Sequence, residues 1–167
     1  MQIPIALVAG MGAQNRSIGK RRGLLRVVPD DLQRFAEKTI GKPVIMGRKT
    51  FESIIVLSGQ ALTKRPNIVL SRDPTFRRDD AIVCRSLDSA LECAAQDNPE
   101  EIHIGGGSEI YSQVIHRVDR LYLTLFHDDH EGDTKFPEFE NAFTEVSRHG
   151  VREHNGLRYE WVDYVRR

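Results

Sequence analysis

The sequence predicts an α/β fold, a mostly parallel sheet flanked by helices and ending in an antiparallel pair. Short β-branched apolar runs alternate with stretches of helical periodicity, the signature of successive βα units. Several of these runs end in glycine just where a helical pattern begins, as in "VIMGRKT" and "IHIGGGSEIY". The last two apolar runs have no helix between them, which makes them neighbours of an antiparallel hairpin. At 167 residues, the chain has the length of one domain spanning 1–167 with a substantial core.

In chain order, "IPIALVA" predicts a strand over Ile3–Ala9. A helix follows over Pro29–Ile40, where Pro29 suits the first turn because its missing N–H costs nothing there. Leu32, Phe35, Ala36 and Ile40 recur at helical spacing and define its expected buried stripe. A strand at Val44–Met46, a helix from Lys49 to about Val56, and strands at Asn67–Ser71 and Ala81–Cys84 come next. The pattern continues with helix Leu87–Gln96, strand Glu101–Ile104, helix Ser108–Ile115 and strand Arg120–Phe126. Strands at Glu145–His149 and Tyr159–Val165 form the terminal hairpin. No repeat, low-complexity tract or linker interrupts them.

Composition excludes several function classes. Lys plus Arg and Asp plus Glu number 24 each, so no net charge argues for nucleic acid or a membrane surface. Local basic clusters remain at Lys20-Arg21-Arg22, Arg48-Lys49 and Arg77-Arg78. The two cysteines, Cys84 and Cys93, make no disulfide framework and are expected as reduced, buried thiols. No apolar stretch approaches the roughly 20 residues of a membrane helix, and "MQIPIALVAGMG" lacks a signal-peptide pattern, so a cytoplasmic protein is expected. "HDDHE" at 127–131 fits no standard zinc spacing and is expected as a solvated loop, so no metal site is assigned. Trp161, alternating with charged residues in "YEWVDYV", is expected to serve strand packing.

"GLLRVVPDDLQRF" carries two acids into the first helix. Asp31 shares the side of Leu32 and Phe35, while Asp30 is rotated by about 100° toward solvent. First-turn acids favour the helix dipole, and that alone accounts for both. A carboxyl flanked by apolar side chains also gains a raised pKa suited to proton transfer. Spacing leaves the two readings open.

Two glycine motifs fail as standard signatures. "GKPVIMGRKT" has Arg48 where a phosphate-loop lysine belongs, and "GMGAQN" has Asn15 in place of a third glycine. Gly47 with Arg48, Lys49 and Thr50, Ser71 with Arg72, and Gly105-Gly106-Gly107 nevertheless all fall at strand C-termini. Ligands bind at that edge of open α/β sheets, and together these groups suit a nucleotide bearing an extra phosphate.

The ordered set "IALVAGMG", "SIG", "VPDDLQRF", "KPVIMGRKTFESI", "RPNIVLSR", "IGGGSEIY", "RLYLTL" and "EGDTKFP" resembles the dihydrofolate reductases, most closely the bacterial type, across the whole chain. The resemblance implies an eight-stranded, mostly parallel sheet with four helices, and NADPH-dependent reduction of dihydrofolate to tetrahydrofolate. It makes Asp31 the active-site acid, supported by Thr124, with Tyr111 near the nicotinamide. Ala9, Leu32, Phe35, Ile54, Leu62, Arg65 and Ile104 are implied as substrate contacts, Arg65 receiving the glutamate carboxylate. Ala9, Gly10, Ile18 and Gly19 are implied on the nicotinamide side of NADPH. Gly47, Arg48, Lys49, Thr50, Ser71 and Arg72 are implied to hold the rest of it, with Gly105, Gly106, Gly107, Ser108, Glu109 and Ile110. The loop 12–25 is implied to close over the site. Partners are then dihydrofolate and antifolate inhibitors, with the chain a monomer that engages neither nucleic acid nor membrane.

Four departures from the family pattern stand out. Arg26 takes the place of a tryptophan and is expected to lower the Asp31 pKa by favouring its charged form. Ile55 to Ser58 are extra, and both "IGGGSEIY" and "MGAQNRSIG" are one residue long, leaving the family's cis pair as Gly105-Gly106 or Gly106-Gly107. The altered rim suggests insensitivity to diaminopyrimidine antifolates. Rival readings are a non-catalytic NADPH- or pterin-binding paralogue and a reductase of a riboflavin precursor, which would not need the Asp31–Phe35 pairing.

Overall fold

A computed structural model of the chain describes residues 2–20, 23–24 and 26–167. Arg21 and Arg22 of the first basic cluster, and Leu25 at the end of the expected closing loop, lie outside the described residues. The elements run β1 (Ile5–Gly12), β2 (Ser17–Lys20), β3 (Gly23–Leu24), α1 (Pro29–Thr39), β4 (Val44–Gly47) and α2 (Arg48–Ser58). They continue through β5 (Asn67–Leu70), β6 (Ile82–Cys84), α3 (Leu87–Ala95), β7 (Ile102–Gly106) and α4 (Ser108–Val114). A 3₁₀ turn at Ile115–Arg117 leads to β8 (Arg120–His127), β9 (Thr134–Lys135), β10 (Phe143–His154) and β11 (Leu157–Arg166).

The main sheet has eight strands in the order β10-β11-β8-β1-β7-β4-β5-β6. Six neighbouring strands, from β8 to β6, run parallel, and β11 pairs antiparallel with both β8 and β10. The expected fold class and terminal hairpin are therefore present. The central strands are buried on both faces, as crossover helices require, with Leu7, Ile45, Ile68, Ile104, Leu121 and Leu123 nearly inaccessible.

A second sheet, β3-β2-β9, has no counterpart in the expected elements. Strands of two to four residues are too short to show alternation. Gly132 lets this sheet close, because a Cβ there would stand 2.4 Å from the Gly19 carbonyl oxygen.

Other boundaries moved for local reasons. β1 starts at Ile5 rather than Ile3 and runs on to Gly12, sustained by its ladder to β8. β10 is twelve residues long, far beyond Glu145–His149, because its bulges carry an otherwise polar strand along β11. Helix α2 begins at Arg48 and extends to Ser58, so Ile55–Ser58, expected as extra residues, form its last turn. Gly59, in the left-handed region at φ +81°, stops it, with its N–H on the Ile55 carbonyl.

The stripe expected to bury α1 does so only in part, at Phe35 and Ala36. Leu32 and Ile40 are 39% and 45% exposed, while Arg34 and Thr39 take the buried side. Arg34 is tolerated there because it pairs with Asp163 of β11 at 2.6 Å. The two cysteines are free but half-buried rather than buried, and burial pushes the Cys84 thiol up.

Candidate active site

Asp31 enters the sheet edge in the first turn of α1. Pro29 opens that helix and Val28 precedes it in extended conformation, with no side-chain cap; the Asp31 and Leu32 N–H groups bond the Val28 carbonyl. The Asp31 carboxyl thereby faces β8 and β11, while Asp30 is exposed as expected. The Thr124 hydroxyl donates to Asp31 Oδ1. So does the Trp161 indole N–H, at 3.1 Å. Trp161 is thus more than strand packing: β11 sets it directly opposite Thr124 on β8, and both reach one carboxylate oxygen.

Burial pushes the Asp31 carboxyl above the usual aspartate range, against the pull of Thr124, Trp161 and the nearby Arg34 charge. Arg26 is not among the groups that move it. Its guanidinium is held by Asp128, with Nε–Oδ2 2.7 Å and Nη2–Oδ1 2.5 Å, and it donates to the Ser17 carbonyl at 2.9 Å. The expected lowering of the Asp31 pKa by Arg26 is therefore wrong, because a neutralising partner comes from "HDDHE". That segment is correspondingly not a free loop. His127 ends β8 beside Glu160, and the Asp128 carboxyl is only 10% exposed.

Asp31, Leu32, Gly10, Ile18, Arg26 and Phe126 line one pocket of about 40 Å³. Gly10 is required by the approach of Phe126, whose ring carbon would lie 2.7 Å from a Cβ there. A larger concavity of about 540 Å³ lies on the other side of α1, among Arg34, Glu37, Lys38, His149 and Arg152. Its lining is mostly charged, with the Trp161 ring as its one large apolar surface, and it has no glycine turn.

The three glycine and basic turns converge as expected. β7, β4 and β5 are adjacent, so the turns after them sit side by side along one edge. Gly47 is the N-cap of α2; a Cβ there would stand 3.9 Å from the Gly106 carbonyl and 3.2 Å from Ile110 Cδ1. A Cβ on Gly107 would stand 3.2 Å from Thr50 Oγ1. The cis bond is Gly106-Gly107, and Gly106 has φ +121°. These bare backbones form a groove that side chains would fill, and the N–H groups of α2 open into it, the combination a phosphate-bearing cofactor needs.

Cations flank this groove unevenly. Arg48 is engaged by Glu52 at 2.7 Å and Asp73 at 3.1 Å, and its guanidinium lies 4.2 Å from the Phe76 ring centre. Lys49 and Arg72 are exposed, Ser71 is half-buried, and Ser108 and Glu109 start α4. Sequence reading missed Arg85, which donates to the Ser71 carbonyl and the Pro74 carbonyl, both at 3.2 Å, and so fixes the turn after β5.

Of the expected substrate contacts, Phe35, Ile54 and Leu62 pack on one cluster around Val44, Met46 and Phe51. Arg65 bonds the Ala36 carbonyl at 3.1 Å and Thr39 Oγ1 at 2.6 Å, anchoring itself on the end of α1. Ala9 and Ile104 are buried within β1 and β7. Tyr111 is buried, burial pushes its phenol up, and its hydroxyl donates to the Val8 carbonyl at 3.3 Å. Gly19 pairs in β2 rather than lying in an open loop. Among the described residues, no group of metal-ligating side chains is assembled, and no helix is long and apolar enough to cross a membrane.

A family model described as dihydrofolate reductase matches residues 4–166. Dihydrofolate reductase type 3 of Salmonella typhimurium is 39% identical over 165 residues, covering 97% of this chain and 98% of its own. Dihydrofolate reductase of Bacillus subtilis (strain 168) is 37% identical over 166 residues, covering 98% and 95%. A solved dihydrofolate reductase from Enterococcus faecalis, complexed with NADP(H) and RAB-propyl, superposes with a TM-score of 0.84 at 32% identity, covering 98% of this chain and 96% of that one.

Proposed function

The chain belongs to the dihydrofolate reductase family, and from that membership we propose how its residues carry out the reaction. It is an NADPH-dependent oxidoreductase that reduces 7,8-dihydrofolate to 5,6,7,8-tetrahydrofolate. When bound, NADPH supplies the hydride for C6 of the pterin, so the protein must supply alignment and one proton at N5.

Asp31 is the proton source. The observation carrying this is a carboxyl in a small pocket beside Ile18, Leu32 and Phe126, clamped at one oxygen by Thr124, with its proton affinity raised by burial. Leu32 and Phe35 give the pterin an apolar wall, which accounts for the exposure of Leu32. Ile54 and Leu62 face the same ligand, and Arg65 lies at its carboxylate end. Ala9, Gly10, Ile18 and Gly19 border the nicotinamide. The groove of Gly47 and Gly105–Gly107, with Arg48, Lys49, Thr50, Ser71, Arg72 and the start of α4 through Ile110, receives the remaining cofactor. Tyr111 stays neutral and holds the Gly106 turn against β1. The chain works as one unit, a cytoplasmic monomer with no nucleic-acid or membrane partner.

Asp31→Asn tests this reading. Hydride transfer at neutral pH falls roughly 10²–10⁴-fold, the loss typical of a general acid, while NADPH affinity is unchanged. A variant retaining near wild-type turnover would overturn it. The same substitution has a stability signature. A raised folded-state pKa gives stability present below the unfolded value and lost as pH rises through the folded one. Asn avoids that loss, so the variant melts higher than wild type at neutral pH. Arg26 lining the same pocket as Asp31 supports insensitivity to diaminopyrimidines. Inhibition by trimethoprim at concentrations that stop a susceptible bacterial enzyme would end that part.

A further inference from the structure

The Asp31 carboxyl is held asymmetrically. Both hydrogen bonds it receives from side chains, from Thr124 and from Trp161, end on Oδ1. Among the described residues Oδ2 accepts none. The register between β8 and β11 makes this possible, since Thr124 and Trp161 are Cα partners and project together beneath α1.

Trp161 is itself fixed. The Arg34 and Arg152 guanidinium groups lie 5.0 and 4.3 Å from its ring centre, and Tyr159 packs at 6.1 Å. Arg34 is tied to Asp163 at 2.6 Å, and Asp163 to His149 at 2.9 Å. An indole carried by a paired strand and braced by two cations has little rotamer freedom, so its N–H is aimed in advance.

We propose that Trp161 is a positioning residue for the reduction: its indole N–H pins one oxygen of Asp31, so that the other is presented to the pterin. This rests on Asp31 being the proton source. A hydrogen bond to the ionised carboxylate also favours that form, so Trp161 helps set where the acid titrates. Charged or titratable groups facing the pair are Asp30 and Arg34 on α1, Arg152 and His149 on β10, Tyr159 and Asp163 on β11, and Arg26 ahead of α1. His149 is the imidazole of this set, and the experiment separates it from Asp31.

Trp161 is the chain's single tryptophan, so its indole ¹⁵N–¹H resonance needs no assignment. In the full-length enzyme that resonance moves with pH at the midpoint where hydride transfer falls off, and the movement vanishes in Asp31→Asn. Trp161→Phe keeps the ring and removes the donor. Its activity limb shifts upward by about half to one pH unit, and KM for dihydrofolate rises at least threefold while kcat changes less. An indole resonance that is flat through the limb, or that still moves in Asp31→Asn because it follows His149, overturns the proposal. So does Trp161→Phe with unmoved limb and KM; if that variant does not fold, the resonance in the other two proteins decides. An activity limb that survives Asp31→Asn defeats the reading of Asp31 itself, whereas a lost limb with an unresponsive indole defeats only Trp161.

Discussion

At Asp31 the cleft is shaped by side chains that hydrogen-bond one another, whereas at Gly47 and Gly105–Gly107 it is shaped by the lack of them. The acid end draws on α1, β8, β11 and, through Arg26 and Asp128, the segments before α1 and after β8. The glycine end is backbone from three adjacent strand ends, with cations at its border. The difference follows from what each must do. Proton transfer needs one group with a tuned affinity, which only surrounding side chains supply. A phosphate-bearing cofactor needs close approach to many N–H groups, which any Cβ obstructs.

The largest effect is expected where the backbone leaves no choice. Gly106 sits at φ +121°, and a Cβ there would stand 2.9 Å from the Tyr111 hydroxyl. Gly106→Ala combines backbone strain with overpacking and should cost about 3 kcal/mol in denaturant unfolding. NADPH affinity falls with it, measured by fluorescence titration. The pH limb of the surviving activity stays in place, because nothing at Asp31 has changed. A moved limb would mean that the two ends are one coupled unit.

Arg26→Met breaks the comparison from the other end. It leaves the Asp128 carboxyl without its main partner, although His130 at 2.9 Å remains. Losing one partner of a buried pair is severe, and the residual contact reduces the cost to about 2 kcal/mol. Hydrogen bonds from Arg26 hold the Asp128 carboxyl below its ordinary range. A depressed folded-state pKa gives stability that is complete above the ordinary value and lost as pH falls through the folded one. The wild-type advantage therefore shrinks below about pH 4 in urea melts. The limb of hydride transfer is unmoved, since Arg26 spends its charge on Asp128. An acid or alkaline shift of that limb would restore Arg26 as a tuner of Asp31.

These two ends were also unequally legible in the sequence. The glycine end was readable because its requirements are local: "VIMGRKT" and "IGGGSEIY" each carry strand, turn and helix start in one stretch. The adjacency of β4 and β5 then follows from parallel βα connection, whereas β7 beside β4 comes from a crossover that sequential connection does not give. Asp31 and Thr124 came through resemblance, with apolar spacing around Asp31 as independent support. Trp161 did not, because its meeting with Asp31 spans 130 residues and depends on the β8–β11 register. The Arg26–Asp128 pair spans 102 residues and was hidden for the same reason, so a charge placed correctly in sequence was given the wrong partner. The α1 stripe misled in a more general way. Helical periodicity reports which face avoids water, and it does not distinguish protein core from a ligand-facing wall.

The glycine end carries one liability that the acid end does not. Arg48, the first residue of α2, is engaged by Glu52 one turn on and by Asp73 after β5. These contacts are exposed and worth little to folding, so Arg48→Ala should leave the melting temperature nearly unchanged. Its effect is on the cofactor. Removing the guanidinium withdraws a charge-assisted contact and leaves two carboxylates beside the groove, so NADPH binding weakens about threefold to tenfold. Because the interaction is at the surface, that difference narrows as salt is raised. NADH, which lacks the extra phosphate, should bind wild type and variant alike. Glu52→Gln is the smallest and sharpest change. It frees Arg48 from one partner without altering the backbone, and NADPH should bind about twofold tighter, with NADH unaffected. A loss of NADPH affinity in Glu52→Gln would instead make Glu52 the brace that aims Arg48, and the glycine end would then depend on side-chain preorganisation as the acid end does.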